Sequence, residues 1–189
     1  MKTKQSQSIV SLITRSQWRK HSLPAIIAIT LTTIIVSNCD KDNKGDTSSP
    51  IVENATECEV LNVYDGDTIT VKCPGQADKT KVRFYCIDTP EMKQQPWGEQ
   101  SRDYLRSIIG KTVHVVEINK DRYGRTVGEV YSGNVNLNLA QVEAGKAAVY
   151  DAYCKKPEYK IAEEQAKKAK KGIWSTSGLH QTPWKWRNP

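Results

Sequence analysis

The sequence lacks most of the features that would indicate a zinc site or a membrane-spanning helix. Its five cysteines form no CxxC pair and have no histidine near them, which argues against tetrahedral coordination of zinc. The main apolar run, residues 25–37, has 13 residues and is too short to cross a bilayer comfortably. Acidic residues are absent from positions 1–24, where five basic residues stand.

The first 39 residues have the pattern of an export leader. A basic start and a 13-residue apolar run are followed by a sharp change to polar residues after Cys39. Val36-Ser37-Asn38-Cys39 resembles the lipobox of bacterial lipoproteins, so Cys39 is a candidate for lipidation. The sequence therefore predicts an exported protein, as a cell-envelope lipoprotein or in free secreted or periplasmic form. An uncleaved leader that serves as a short membrane anchor is the alternative.

The leader also accounts for most of the net charge. The chain carries 28 basic and 21 acidic residues, for a formal charge of +7. Without residues 1–39, which contain five basic and no acidic residues, 23 basic and 21 acidic residues remain, or about +2. Net charge alone is therefore no evidence for nucleic-acid binding.

Four cysteines follow the leader: Cys58, Cys73, Cys86 and Cys154. An even number in an exported domain favours disulfides, with a metal site as the rival interpretation. If Asp65-Gly66 forms a two-residue hairpin turn, residues whose numbers sum to 131 face each other. This register predicts a Cys58–Cys73 bridge, which leaves Cys86 to pair with Cys154.

The pattern after the leader is typical of an α+β domain. Residues 40–56 are polar and predict a flexible tether, residues 57–176 the folded domain, and residues 177–189 a tail whose tryptophans pack on the surface. Five short strands with a helix after the third match a five-stranded OB-type barrel with three helices. An open α+β sheet is the alternative. The predicted strands are 59–64, 67–73, 79–87, 112–121 and 126–132, and the predicted helices are 97–109, 136–145 and 157–172.

Two carboxylates at strand ends suggest a cation site. Asp67 follows the predicted turn and Asp88 follows an apolar run, and such placement is costly unless a positive charge neutralises them. An oxygen-only shell, to which Thr89 could add its carbonyl, suits calcium or magnesium rather than zinc. Asp65 is interpreted as the turn former.

Three further charged residues fit phosphodiester chemistry. Glu91 could orient or deprotonate a water, although a capping role is the alternative. Arg83 and Arg125 could grip phosphate oxygens with their planar guanidinium groups, or they could form surface ion pairs. Arg83 lies five residues before Asp88, and this odd spacing puts them on opposite strand faces unless a bulge intervenes.

Four motifs together resemble the thermonuclease family, typified by staphylococcal (micrococcal) nuclease. The resemblance covers residues 57–175. The motifs are Val63-Tyr64-Asp65-Gly66-Asp67-Thr68-Ile69, Val82-Arg83, Ile87-Asp88-Thr89-Pro90-Glu91 and Asp121-Arg122-Tyr123-Gly124-Arg125.

This resemblance implies an OB-fold endonuclease that needs one calcium ion and cuts both DNA and RNA to products with 3′-phosphate ends. By motif position, Asp67 and Asp88 match the calcium carboxylates and Thr89 the residue that offers its carbonyl. Glu91 matches the glutamate that orients or activates the attacking water. Arg83 and Arg125 match the arginines that bind the phosphate and stabilise its developing charge. We also expect a monomer.

Substrate-binding positions match less completely. Arg122 and Tyr123 match positions that contact the terminal phosphate and sugar. Tyr153 matches one of the two tyrosines that stack on the base, while Asp151 stands at the other position. The loop after Glu91 is also shorter than in the type member.

Two other functions remain open at this point. One is a catalytically weak nucleic-acid-binding OB module on the cell envelope, and the other is a structural lipoprotein with inherited motifs. The persistence of Asp67, Arg83, Asp88, Glu91 and Arg125 favours the enzyme.

Overall fold

The computed structural model describes residues 52–188. The predicted leader, the lipidation candidate Cys39 and most of the predicted tether lie outside these residues. The strands are β1 Thr56–Val63, β2 Thr68–Lys72, β3 Thr80–Phe84, β4 Ile87–Asp88, β5 Thr112–Lys120, β6 Thr126–Ser132, β7 Val135–Asn136 and β8 Ala148–Val149. The helices are α1 Trp97–Ile108, α2 Leu137–Glu143, α3 Pro157–Lys168 and α4 Pro183–Arg187, with single 3-10 turns at Gly172–Trp174 and Leu179–Gln181.

Five strands close into the predicted barrel. The order β3-β2-β1-β5-β6 is antiparallel between neighbours, and a parallel pairing of β3 with β6 completes the ring. Ile69, Val71, Val82, Val113 and Val130 are fully buried inside it, as expected where alternate residues of each strand point to the core. The ring excludes the open α+β sheet and confirms the five-stranded OB-type fold.

The three predicted helices are present and cover parts of the barrel. Leu105 of α1, Leu137 of α2 and Tyr159 of α3 are completely buried. A fourth, short helix, α4, lies in the segment predicted to be a tail. In residues 52–188, none of the helices combines the length and the apolar character needed to cross a bilayer.

The first hairpin differs from the prediction in its turn, but not in its cysteine pairing. Val63 pairs with Ile69, and the Tyr64 N–H donates to the Thr68 carbonyl at 3.0 Å, so the two-residue turn was wrong. The loop is therefore three residues long, 65–67, and facing residues next to it have numbers that sum to 132. A β-bulge at Leu61 then shifts the register back to 131. Cys58 therefore faces Cys73, and the two form a disulfide.

The third predicted strand, residues 79–87, is interrupted. Strand β3 ends at Phe84, and Cys86 has a φ of +69°, which removes the chain from the barrel sheet. The chain then forms β4, which pairs with β8 instead. Cys86 is bonded to Cys154 in the second disulfide, as the elimination argument predicts. This break reorients the residues that follow it.

Candidate active site

A cleft of about 780 Å³ lies against one side of the barrel, where the loops after β1, β3, β5 and β8 meet. All nine residues that the sequence singles out for metal, phosphate or base binding line this cleft. They are Asp67, Arg83, Asp88, Thr89, Glu91, Arg122, Tyr123, Arg125 and Tyr153. The fold brings them together, while their individual roles remain predictions.

The loop that carries Asp67 is held from several sides. The Asp65 carboxylate accepts a hydrogen bond from the Asp67 N–H at 3.0 Å, which is the turn-forming role expected of Asp65. Gly66 lies so close to α1 that a Cβ there would stand 1.9 Å from the Ser101 hydroxyl oxygen. Gln141 of α2 donates to the carbonyls of Gly66 and Ser101, at 2.6 and 3.1 Å. Both helices therefore fix the position of Asp67.

Asp67 and Asp88 meet at the bottom of the cleft, joined by Arg83. The Arg83 Nη2 lies 2.8 Å from an Asp88 oxygen and 3.2 Å from an Asp67 oxygen. The same Asp67 oxygen accepts hydrogen bonds from the Thr89 N–H at 2.7 Å and from the Thr89 hydroxyl at 2.8 Å. With two lone pairs, that oxygen is fully engaged by these three contacts. Asp67 Oδ1 has one contact, from the Thr68 hydroxyl at 3.2 Å, and each Asp88 oxygen has one contact, from a guanidinium nitrogen, so these oxygens keep lone pairs for a cation.

Burial and neighbouring charges change the pKa values of two carboxyl groups in the cleft. Burial, with a further contribution from the Asp67 charge, raises the pKa of Asp88 to about 6, although Arg83 and Arg187 oppose this shift. Burial and the Asp67 charge likewise raise the pKa of Asp65 to about 7. Ionised carboxylates are therefore costly in this buried place, and a bound cation would favour their charged form.

Glu91 lies at the rim and contacts a residue that sequence reasoning missed. Arg187 of α4 donates from Nη1 to Glu91 Oε1 at 2.6 Å and from Nη2 to Asp88 Oδ2 at 2.8 Å. It is 96 residues from Glu91 in the chain, and no spacing or motif could have connected the two. The only available signal was a basic residue within an aromatic tail.

The β5–β6 turn forms a second wall. Asp121 accepts hydrogen bonds from the backbone N–H groups of Tyr123 and Arg125, both at 2.9 Å. Its second oxygen holds the Arg125 Nε at 2.7 Å. The guanidinium groups of Arg122 and Arg125 lie 4.9 and 5.7 Å from the centre of the Tyr123 ring. This wall presents two arginines and an exposed aromatic ring to the cleft.

Aromatic residues form the opposite wall. Tyr150 and Tyr153 pack edge to face, with ring centres 4.9 Å apart. Trp184 stacks in parallel on Tyr150 at 5.1 Å, so this tryptophan covers a cleft wall rather than the outer barrel surface. Tyr153 is 66% exposed, which leaves its ring accessible to a base. Asp151 is engaged by Lys160 at 2.9 Å.

The residues present fit a hard cation. Between residues 52 and 188, no group of three or more His, Cys, Asp or Glu side chains is arranged to hold a metal. A cation would instead rely on the carboxylates of Asp67 and Asp88, with the Thr89 carbonyl and water completing its shell. Such oxygen donors suit calcium or magnesium, which commonly keep several waters.

Comparison with known proteins agrees with the fold. The family described as "Staphylococcal nuclease homologue" matches residues 81–176. An "Uncharacterized endonuclease" of Escherichia coli O157:H7 is 40% identical over 131 residues, which cover 68% of this chain and 83% of that protein. A protein of the same name from Haemophilus influenzae is 37% identical, with coverage of 69% and 72%.

A plant protein also matches over a shorter region. The "Staphylococcal-like nuclease CAN1" of Arabidopsis thaliana is 35% identical over 112 residues, or 59% of this chain and 34% of its own length. The family match and the names of these relatives support a nuclease, as the four motifs predicted. The chain belongs to the family of staphylococcal nuclease homologues.

Proposed function

We propose that the protein is a calcium-dependent endonuclease that hydrolyses the phosphodiester bonds of DNA and RNA and leaves 3′-phosphate ends. The observation that carries this proposal is the contact of Arg83 with both Asp67 and Asp88, at 3.2 and 2.8 Å. It combines an oxygen donor pair for a hard cation with a guanidinium group in one cleft. Phosphodiester hydrolysis needs both, because negative charge builds on the phosphate oxygens.

Asp67, Asp88 and the Thr89 carbonyl would hold the calcium ion. When bound, the ion would neutralise phosphate charge and favour ionisation of a water. Oxygen-only donors and the absence of histidine from this set support calcium or magnesium over zinc.

Three side chains would bind the phosphate and transfer the proton. Arg83 and Arg125 bind the phosphate and stabilise the charge that develops on it. Glu91 takes a proton from the attacking water while the oxygen of that water bonds to phosphorus. For a 3′-phosphate product the bond from phosphorus to the 5′ oxygen breaks, and the 5′ oxygen leaves as a hydroxyl after taking a proton from solvent water.

Recognition of the substrate would involve the two walls of the cleft. Arg122 and Tyr123 would contact the terminal phosphate and sugar, and the exposed Tyr153 ring would stack on a base. Stacking is tolerant of sequence because every base has an aromatic face, which is consistent with action on both DNA and RNA.

The two disulfides support an oxidising compartment. Together with the leader predicted over residues 1–39, they favour an exported protein, anchored through Cys39 or secreted. We also propose that it acts as a monomer.

Digestion of plasmid DNA and of RNA tests the proposal directly. The purified protein is incubated with calcium, with magnesium and with a chelator. The products are then treated with a phosphatase to determine whether their 3′ ends carry a phosphate. We expect cutting of both substrates with calcium and none with chelator. Equal cutting with calcium and chelator would refute the calcium requirement. Binding of both substrates without cutting in any metal would instead identify a nucleic-acid-binding OB module.

A further inference from the structure

The C-terminal segment, Pro183–Asn188, contributes an arginine to the cleft. Arg187 bridges Asp88 and Glu91, with contacts of 2.8 and 2.6 Å made by two nitrogens of the same guanidinium group. Its side chain is 36% exposed, whereas that of Asp88 is 1% exposed. The arginine thus connects a buried carboxylate at the bottom of the cleft to a carboxylate at its rim.

The segment is anchored by packing contacts of its own and of the residues just before it. Pro183 is buried, and Trp184 stacks on Tyr150 with only 7° between the ring planes. Just before the segment, His180 stacks on Trp97 at 4.6 Å and contacts the Ile173 carbonyl at 3.0 Å. A short helix held in this way presents Arg187 from a defined position.

Glu91 depends on this arginine for its orientation. The Glu91 backbone N–H donates to the Gln94 side chain at 2.9 Å, but that bond does not restrain the carboxylate. Among residues 52–188, Arg187 is the only side chain that donates to the Glu91 carboxylate. The planar guanidinium group sets two carboxylates at a defined separation, which a flexible ammonium group does not do.

We infer that Arg187 is a positioning residue that holds the Glu91 carboxylate beside Asp88 in the orientation needed to take a proton from the attacking water. This inference rests on the proposed function, in which Glu91 is the base and Asp88 a cation ligand. Asp88 keeps free lone pairs beside its contacts with Arg83 and Arg187, so the bridge is compatible with cation binding.

The first test compares rates of DNA cleavage in calcium for wild type, Arg187→Gln and Arg187→Lys. Loss of a residue that orients a reacting group typically costs about 10–100-fold in activity. We expect Arg187→Gln to lower kcat by about this factor with little change in KM. Arg187→Lys should recover part of the rate. Lys185→Gln removes an equal charge from the exposed side of the same helix and should cut like wild type.

A double-mutant cycle shows whether Arg187 acts through Glu91. In a Glu91→Gln background, Arg187→Gln should add no further loss, because the residue that it orients is already neutral. A multiplicative loss would overturn the inference. So would a rise in KM at constant kcat, which would indicate a direct phosphate contact, or faster cutting, which would indicate that Arg187 obstructs the cleft.

Crystal structures of wild type and Arg187→Gln provide a test that does not depend on activity. We expect the Glu91 carboxylate to lie beside Asp88 in wild type and to leave this orientation in the variant. An unchanged Glu91 in the variant would overturn the inference even if the rate fell. Failure of the wild type to cut in any metal would refute the proposed function, while the structural comparison would still decide the positioning role.

Discussion

Arg83 and Asp88 are five residues apart on one stretch of chain, yet their side chains meet at 2.8 Å. A continuous strand would direct them to opposite faces. The strand ends at Phe84, and the left-handed conformation of Cys86 turns Asp88 toward Arg83. The central ion pair of the cleft therefore depends on an interruption of regular structure.

Arg83→Ala should slow cleavage by about 10²–10³-fold, the typical loss when one charge-stabilising group is removed. It should also lower the free energy of unfolding, because the buried carboxylates of Asp67 and Asp88 lose the positively charged guanidinium group that pairs with both. Cleavage kinetics and urea unfolding measure the two effects. Arg102→Ala, which removes an arginine paired with Asp103 on α1, is the matched control and should retain the wild-type rate. A near-normal rate for Arg83→Ala would remove Arg83 from the proposed machinery.

Gly66→Ala should destabilise the protein and displace Asp67. The new Cβ would lie 1.9 Å from the Ser101 hydroxyl oxygen, and overpacking of this kind typically costs about 1–3 kcal/mol. Urea unfolding measures the cost. Gly110→Ala is the control, because Gly110 is exposed and a Cβ added there would come no closer than 3.1 Å to another atom, the Ser132 hydroxyl oxygen. Adding Ser101→Gly should restore part of the stability. If Gly66→Ala unfolds like wild type, the close contact with α1 is not present in solution.

The two disulfides should differ in their effects on stability and activity. Loop-closure entropy predicts a contribution of about 3 kcal/mol for Cys58–Cys73 and roughly 4 kcal/mol for Cys86–Cys154, because their sequence separations are 15 and 68 residues. Paired alanine variants, unfolded in urea, measure this order. Only loss of Cys86–Cys154 should also slow cleavage, because Cys86 precedes Asp88 and Cys154 follows Tyr153. Equal loss of activity in both variants would contradict this local role.

Glu129 should contribute stability that is lost in acid. Burial opposes its ionisation, but hydrogen bonds from Lys156 at 2.6 Å, Tyr159 at 2.7 Å and Tyr131 at 3.1 Å outweigh this and lower the pKa of Glu129 below 4.5. Because the pKa is lower in the folded state, the stabilisation is complete above pH 4.5 and disappears as the pH falls through the folded value.

Glu129→Gln should therefore cost roughly 1.5–3 kcal/mol near neutral pH, the range for hydrogen bonds to charged groups. The difference from wild type should shrink as the pH falls below 4.5. Urea unfolding across pH measures it, with the exposed Glu164→Gln as the control. A difference that stays constant through acid would show that the charge of Glu129 does not stabilise the fold.

Much of the barrel was predictable because its determinants are local. Alternating β-branched residues indicated the strands, and glycines marked the ends of the helices. The predicted pairing of Cys58 with Cys73 was correct even though the predicted turn was wrong, because the bulge at Leu61 offsets the extra residue of the three-residue loop 65–67. A bulge depends on packing against neighbouring strands, and the sequence pattern of Glu59–Val63 contains no signal for it.

The sequence by itself determined the family, the barrel and the set of charged residues, since each is expressed in short motifs with their own spacing. Only the tertiary structure decided how those residues meet. The turn at Cys86 brings Arg83 onto Asp88, and α4 brings Arg187 onto Glu91 from 96 positions away. Such contacts arise from chain reversals and packing between distant elements, and no local periodicity records them.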